Sequence, residues 1–85
     1  MGRPIVVRSE LCSPWLRTRS TFGKHVRELR LKCKLSQEKL AELADLHRNY
    51  LGVLERGRQN PSLLIILKLA RALDVKPAKL IDRIP

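Results

Sequence analysis

Residues 35–62, which read LSQEKLAELADLHRNYLGVLERGRQNPS, place the tightest constraint on the fold of this chain. Apolar residues recur there at helical spacing in two short runs, and a turn of about four residues separates the two runs. A polar, basic stretch follows the second run. Two short helices joined by so short a turn pack against each other at a steep angle, so this stretch predicts a helix-turn-helix.

The chain length and the net charge limit the functions that such a motif can have. The chain has 85 residues, enough for one compact domain whose core is more suited to supporting a surface than to enclosing a deep cleft. It carries 18 Lys and Arg against 8 Asp and Glu, a net charge of +10, so a polyanion is the expected partner. Aromatic residues make up only 4% of the chain, which disfavours the stacking platforms of single-stranded nucleic-acid binders.

The cysteines and the apolar runs indicate the cellular compartment of the protein. Cys12 and Cys33 show neither metal-ligand spacing nor the density of a secreted disulfide scaffold, so we expect a reduced, cytoplasmic protein. The longest apolar run is residues 63–67, too short to cross a membrane. No catalytic arrangement, metal-ligand cluster or cofactor motif is present in the sequence, and we expect no enzyme, metal or small-molecule ligand.

The first 20 residues are expected to form a flexible basic extension, because they contain prolines and show no sustained period. Such an extension is either inert or an arm that touches DNA. Trp15 is costly to leave in water and is expected to dock on the domain or on a second subunit. The domain is expected to span residues 21–85, with Thr21 capping a first helix. The apolar face of that helix is Phe22, Val26, Leu29 and Cys33.

The next two helices form the motif itself. Ser36 can cap the second helix, and Asp45 can adopt the left-handed conformation of the turn. The third helix is expected from Arg48 to Arg56, with Gly57 ending it. The inner positions of the two helices are Leu40, Ala41, Leu43, Ala44, Leu51 and Leu54.

Two further helices complete an all-α domain of five helices without strands. The fourth begins near Pro61 and Ser62 and is apolar nearly all round, so we expect it to be buried on most sides. A short fifth helix begins near Pro77, which is pre-set for a first helical position. A domain this small cannot bury all of that apolar area, and the excess predicts a homodimer. The candidate dimer residues are Ile65, Leu80, Ile81 and Ile84.

Five short segments resemble the Cro and lambda-repressor-like helix-turn-helix domains, often called the Xre family, over residues 22–82. These segments are Leu29-Arg30, Ser36-Gln37-Glu38-x-Leu40-Ala41, Glu55-x-Gly57, Asn60-Pro61-Ser62 and Leu69-Ala70-x-Ala72-Leu73. The stretch after the turn also resembles restriction-modification controllers and small phage-type regulators. The resemblance implies that Arg30 and Glu55 form a structural salt bridge and that Gln37 binds a phosphate.

The start and outer face of the third helix are the expected base-reading surface, because these positions enter the groove first. Arg48 can bond guanine and Asn49 can bond adenine, each in a bidentate way. Val53 could touch a thymine methyl group, and Gly52 would allow close approach of the groove wall. An ordinary solvated first turn is the alternative for Arg48 and Asn49.

Around this face lie the expected contacts to the DNA backbone. They comprise the start of the second helix, the turn and the loop after the third helix, where Arg and amide side chains can bind phosphates. The residues are Ser36, Gln37, His47, Tyr50, Arg56, Arg58, Gln59 and Asn60. His47 is expected to cap the helix or contact phosphate rather than to bind metal, and His25 has no ligand partner either.

The sequence therefore predicts a regulator of transcription, a repressor or controller, that binds double-stranded DNA as a homodimer on a palindromic operator. It would block RNA polymerase or offer it a contact surface. An antitoxin-like protein-interaction module with accessory DNA binding is the alternative from another class. A cationic membrane-active protein is disfavoured, because the most apolar helix carries only Lys68 and Arg71.

Overall fold

The structure is a computed structural model that describes residues 14–84. These residues form five helices and no strand. This architecture confirms the all-α prediction. The helices are α1 Pro14–Lys32, α2 Gln37–Ala44, α3 Arg48–Glu55, α4 Leu63–Leu73 and α5 Pro77–Ile81.

Side-chain caps and left-handed residues fix the ends of the short helices. The Ser36 hydroxyl accepts a hydrogen bond from the backbone N–H of Lys39 at 3.0 Å, and Ser62 caps α4 in the same way. Asp45 ends α2 with a φ of 58°, and Asp74 ends α4 with the same φ. The predicted roles of Ser36 and Asp45 are therefore confirmed.

Helix α1 begins well before the predicted boundary, at Pro14 rather than after Thr21. The predicted cap at Thr21 is wrong, and so is a flexible extension for residues 14–20; residues 1–13 lie outside the described residues. Ser20 packs so closely on Gly57 that a Cβ on this glycine would lie 2.7 Å from the Ser20 Cα. This tertiary contact supports the early turns of α1, and local periodicity does not show it.

The core is built from one apolar face of each helix. Val26, Leu40, Leu51, Leu69 and Leu80 are fully buried at its centre. Two residues predicted for inner faces are not in it. Cys33 lies beyond the end of α1 and is exposed, and Leu43 is 51% exposed on the outer side of α2.

Helix α4 is buried on one side only, which corrects the expectation that it is covered on most sides. Its residues Leu69, Ala70 and Leu73 face the core, where α4 packs on α2 and α5. No helix within residues 14–84 covers its other side. The exposed residues there are Leu63 at 71%, Leu64 at 59% and Leu67 at 43%; we refer to these three as the α4 apolar face.

Helix α5 closes the domain against α1. Leu80 is completely buried, so its predicted place in a dimer interface is wrong: this side chain already fills the core of one chain. Ile81 is 45% exposed, while Ile84 is half-buried against the core. The buried His25 of α1 bonds the backbone carbonyl of Lys79 through Nε2 at 2.7 Å, which ties the two helices together.

Gly23 marks the closest approach between α1 and α3. A Cβ at this position would meet the backbone carbonyls of Leu54 and Glu55, the latter oxygen at 2.8 Å. Only glycine fits there without movement of the backbone. The sequence does not reveal this role of Gly23, because a glycine inside a helical pattern ordinarily weakens the helix prediction without indicating what lies beside it.

Candidate nucleic-acid interface

The residues at the start of α3 are exposed at the surface of the domain. His47 caps the helix, its ring Nδ1 accepting a hydrogen bond from the backbone N–H of Asn49 at 3.1 Å. Arg48 and Asn49 are exposed, and Val53, one turn further along, is partly exposed. These three residues form the reading face of α3, with hydrogen-bonding groups at its start and an apolar group beyond them.

Gly52 does not lie on that face, contrary to the expectation. It is buried, and a Cβ there would lie 3.6 Å from the Gln37 Oε1 and 3.6 Å from an Arg56 guanidinium nitrogen. These two side chains therefore lie over Gly52. The predicted role of Gly52 in letting the groove wall approach is wrong, since polar groups of its neighbours occupy the space above it.

Within residues 14–84, Arg48 has one charged neighbour. Its Nη1 lies 3.7 Å from the Glu38 carboxylate on the first turn of α2. The two side chains are 61% and 76% exposed, and ion pairs of this kind contribute at most about 1 kcal/mol. The pair is weak enough for a nucleic-acid base or phosphate to replace it.

The support beneath the reading face is a buried ion pair. The Arg30 Nε donates to one oxygen of Glu55 at 2.7 Å and the Arg30 Nη2 donates to the other at 3.1 Å. The Arg30 Nη1 also donates to the carbonyl of Leu35 at 2.8 Å. This bidentate arrangement fixes the C-terminal end of α3 to α1 and to the segment that leads into α2.

Gln37 is the third member of this network. Its side-chain Nε2 donates to the Glu55 carboxylate at 2.9 Å, so that carboxylate serves α1, α2 and α3 at once. The Gln37 Oε1 faces the Gly52 position, and the side chain is only partly buried. The bond between Gln37 and Glu55 could not be predicted from sequence, because the two residues lie eighteen positions apart in the chain and no local spacing relates them.

A basic loop leaves α3 beside this network. Gly57 turns the chain with a φ of +79°, a left-handed conformation that favours glycine. Arg56, Arg58 and Asn60 are exposed and Gln59 is partly exposed. Neither arginine has an ion-pair partner within residues 14–84, so both can bind an anion from solution.

Tyr50 lies between the reading face and the core. Its ring is partly buried and packs against the core cluster. Burial disfavours the phenolate and raises the pKa of Tyr50 above 10.0, so the hydroxyl stays protonated at neutral pH and remains a hydrogen-bond donor. Ser36, the other hydroxyl near this surface, is exposed.

Other kinds of site find little support in the described part of the chain. Within residues 14–84, no three His, Cys, Asp or Glu side chains are grouped so that they could hold a metal ion. None of the five helices there is long and apolar enough to span a membrane.

Comparisons with known proteins agree with this geometry. The sequence model of the helix-turn-helix family HTH_3 matches residues 26–80. The control protein C.BamHI of Bacillus amyloliquefaciens is 51% identical over 65 residues, which cover 75% of this chain and 80% of that protein. The control protein C.SmaI of Serratia marcescens is 42% identical over 62 residues, covering 73% of this chain and 74% of that protein.

A solved structure resembles the chain as well. The crystal structure of the restriction-modification controller protein C.AhdI from Aeromonas hydrophila is 54% identical, covers 72% of this chain and 92% of that one, and superposes with a TM-score of 0.71. These matches agree with the resemblance read from the residues. The chain therefore belongs to the helix-turn-helix family HTH_3 and is a DNA-binding transcriptional regulator.

Proposed function

We propose that this protein is a restriction-modification controller that binds a two-fold operator as a homodimer and regulates transcription from it. The observation that carries the proposal is the reading face of α3, exposed and rigidly supported, in a chain similar to several control proteins. One such helix reads too few base pairs to select a site in a genome, which supports pairing of two chains.

Base recognition is assigned to the reading face. The guanidinium of Arg48 would bond the O6 and N7 atoms of guanine, and the amide of Asn49 would bond the N6 and N7 atoms of adenine. The Val53 side chain would contact a thymine methyl group. Each bidentate pairing is worth about 1 to 3 kcal/mol of discrimination between bases.

Backbone binding is assigned to the rim around that face. Arg56 and Arg58 supply charge next to α3 that no ion pair within residues 14–84 neutralises. The amide oxygen of Gln37, at the first turn of α2, lies beside Gly52 of α3. Phosphates favour such helix starts and cationic loops. The remaining members of the rim supply further polar groups: Ser36, His47, Tyr50, Gln59 and Asn60.

Dimerisation is assigned to the α4 apolar face rather than to the residues predicted from sequence. Three leucines exposed side by side are costly in water, and a second copy of the same face would cover them. Half-buried Ile65 and exposed Ile81 are secondary candidates, because they offer less free apolar surface than Leu64. A bound dimer would then block RNA polymerase or offer it a contact surface.

Selection of bound sequences from a pool of random duplexes tests the assignment. We expect a two-fold symmetric motif in which one base position depends on Arg48. The Arg48→Ala variant should lose preference at that position, whereas Arg58→Ala should weaken binding to all sequences and lower the salt slope by about one unit. A motif without symmetry, or equal losses from both variants on specific and random DNA, would contradict the assignment.

A further inference from the structure

A row of exposed basic side chains runs along α1. Arg17, Lys24 and Arg27 recur at steps of seven and three residues, which brings them to one side of the helix. All three are exposed. We refer to them as the α1 basic ridge.

The neighbours of this ridge place it beside the basic loop. Ser20, which lies on the same side of α1 between Arg17 and Lys24, abuts Gly57 at the start of that loop. Gly23, one turn before Arg27, abuts the carbonyls at the C-terminal end of α3. The ridge therefore flanks the end of α3 from which residues 56–60 emerge.

The charges of the ridge are not neutralised within residues 14–84. No carboxylate there lies within ion-pair distance of any of the three side chains. Glu28, the nearest carboxylate in sequence, instead lies 2.8 Å from Arg83. A row of uncompensated like charges raises the local potential, and this potential attracts a polyanion along the row.

The assigned DNA contacts use only a small part of the positive charge of the protein. Arg48, Arg56 and Arg58 account for three of the 18 Lys and Arg residues. A duplex held by α3 and by the loop brings further phosphates towards the same side of α1. DNA is favoured over an acidic protein, because the ridge adjoins the loop to which phosphate contacts are assigned.

We propose that the α1 basic ridge binds the phosphate backbone of DNA that flanks the half-site, and so extends the contacts of residues 56–60 along the duplex. This inference rests on the proposed function. It gives α1 a role in affinity but none in sequence choice, since phosphates carry no base information.

The test compares salt dependence on two lengths of DNA. One duplex ends at the limits of the selected motif, and the other extends about one helical turn, roughly 10 base pairs, beyond each end. The triple variant Arg17→Ala/Lys24→Ala/Arg27→Ala should lower the salt slope by about 2 to 3 units per chain on the long duplex. On the short duplex its slope should stay close to that of the unaltered protein.

A matched control removes cations elsewhere. Lys76→Ala/Lys79→Ala removes two exposed positive charges, one at the N-cap of α5 and one within the helix, and should leave the slope on the long duplex unchanged. Circular dichroism checks that every variant remains helical. If the triple variant and the unaltered protein have equal slopes on both duplexes, or if the loss is the same at both lengths, the ridge does not bind flanking DNA.

The outcome also separates this inference from the proposed function. Arg58→Ala serves as the reference on the short duplex, where the ridge plays no part. If Arg58→Ala lowers the slope and the triple variant does not, the ridge proposal alone fails. If neither changes the slope and no sequence preference is found, the proposed function fails with it.

Discussion

Glu55 is the residue on which most of the interface depends. Its carboxylate is 2% exposed and accepts hydrogen bonds from Arg30 and Gln37, so it holds α1 and α2 to the end of α3. Burying two charges costs desolvation, and the pair persists because both oxygens of the carboxylate are bonded. The ion pair between Arg30 and Glu55 fixes the position of the reading face. It does not make the protein more stable than a pair of apolar side chains at the same positions would.

The Glu55→Ala variant tests this dependence. Removing the carboxylate leaves the Arg30 guanidinium buried without a counter-charge, and we expect the free energy of unfolding to fall by about 3 to 5 kcal/mol. Urea denaturation followed by circular dichroism measures the change. The control Glu38→Ala removes the exposed partner of Arg48 and should cost less than about 1 kcal/mol. Equal losses would show that burial of Glu55 does not matter.

Substitution of glycine by alanine should have opposite effects on the stability of the protein at two positions. Gly23→Ala drives a methyl group into backbone carbonyls and should destabilise the protein by about 1 to 3 kcal/mol. Gly52→Ala places its methyl 3.6 Å from two flexible side chains and should gain up to about 1 kcal/mol of helix propensity. Thermal unfolding of both variants at one protein concentration compares them, and a stabilising Gly23→Ala would refute the close crossing.

Tyr50 can be titrated directly, because it is the only tyrosine in the chain. Partial burial raises its pKa, so the phenolate absorbance should appear at a pH above 10.0 in the folded protein. Between the unfolded and folded pKa values the folded state binds more protons, so stability falls as the pH rises through this window. Tyr50→Phe should remove that part of the alkaline loss, and a normal titration midpoint would contradict the burial.

At the scale of elements, α4 and α5 differ from what periodicity predicts. A run of leucines and isoleucines gives no apolar stripe to read, so the sequence could not indicate which side of α4 meets α2. The same limit applies to α5, where Leu80 and Ile81 are adjacent but only Leu80 is fully buried. Tertiary packing sets the orientation of α4 and α5, and the local sequence pattern carries no information about that packing.

Truncating each of these two neighbours separates the core from the surface of α5. Leu80→Ala empties a fully buried position and should cost about 2 to 5 kcal/mol of unfolding free energy. Ile81→Ala removes a side chain that is 45% exposed and should cost much less. Urea denaturation at one fixed protein concentration measures both. If Ile81→Ala proved the more damaging, the orientation of α5 would be wrong.

Some helix ends can be predicted from the sequence, and others cannot. The ends of α2 and the start of α3 were predictable because Ser36, Asp45 and His47 act through local hydrogen bonds and backbone conformation. The beginning of α1 was not predictable, because it rests on the contact between Ser20 and Gly57. The exposure of Arg48 and Asn49 could be predicted from their place at the start of α3, whereas the support at Glu55 came from a family resemblance.

For the whole molecule, the proposed homodimer needs a surface on which two chains can pair. The α4 apolar face predicts association that depends on Leu64 and Leu67, whose burial in a dimer would remove apolar surface from water. Leu67→Asp should shift sedimentation equilibrium from dimer towards monomer at micromolar concentration. The control Leu31→Asp changes a leucine of similar exposure, 48% against 43%, on α1 and should leave the equilibrium unchanged.

Sedimentation of these variants can also contradict the proposed dimer interface. If both remain dimeric while Ile81→Asp dissociates, the interface lies on α5 and not on α4. If the unaltered protein sediments as a monomer with and without operator DNA, the homodimer is wrong altogether. Circular dichroism of each variant separates dissociation from unfolding.

The glycine in the middle of α1 has a consequence for the order of folding. Gly23 lowers the intrinsic helicity of α1, and its bare Cα is useful only once the end of α3 is present to meet it. Helix α1 should therefore become protected late, after α3 has formed. Amide hydrogen exchange along α1 would then report on whether the end of α3 that supports the reading face is intact.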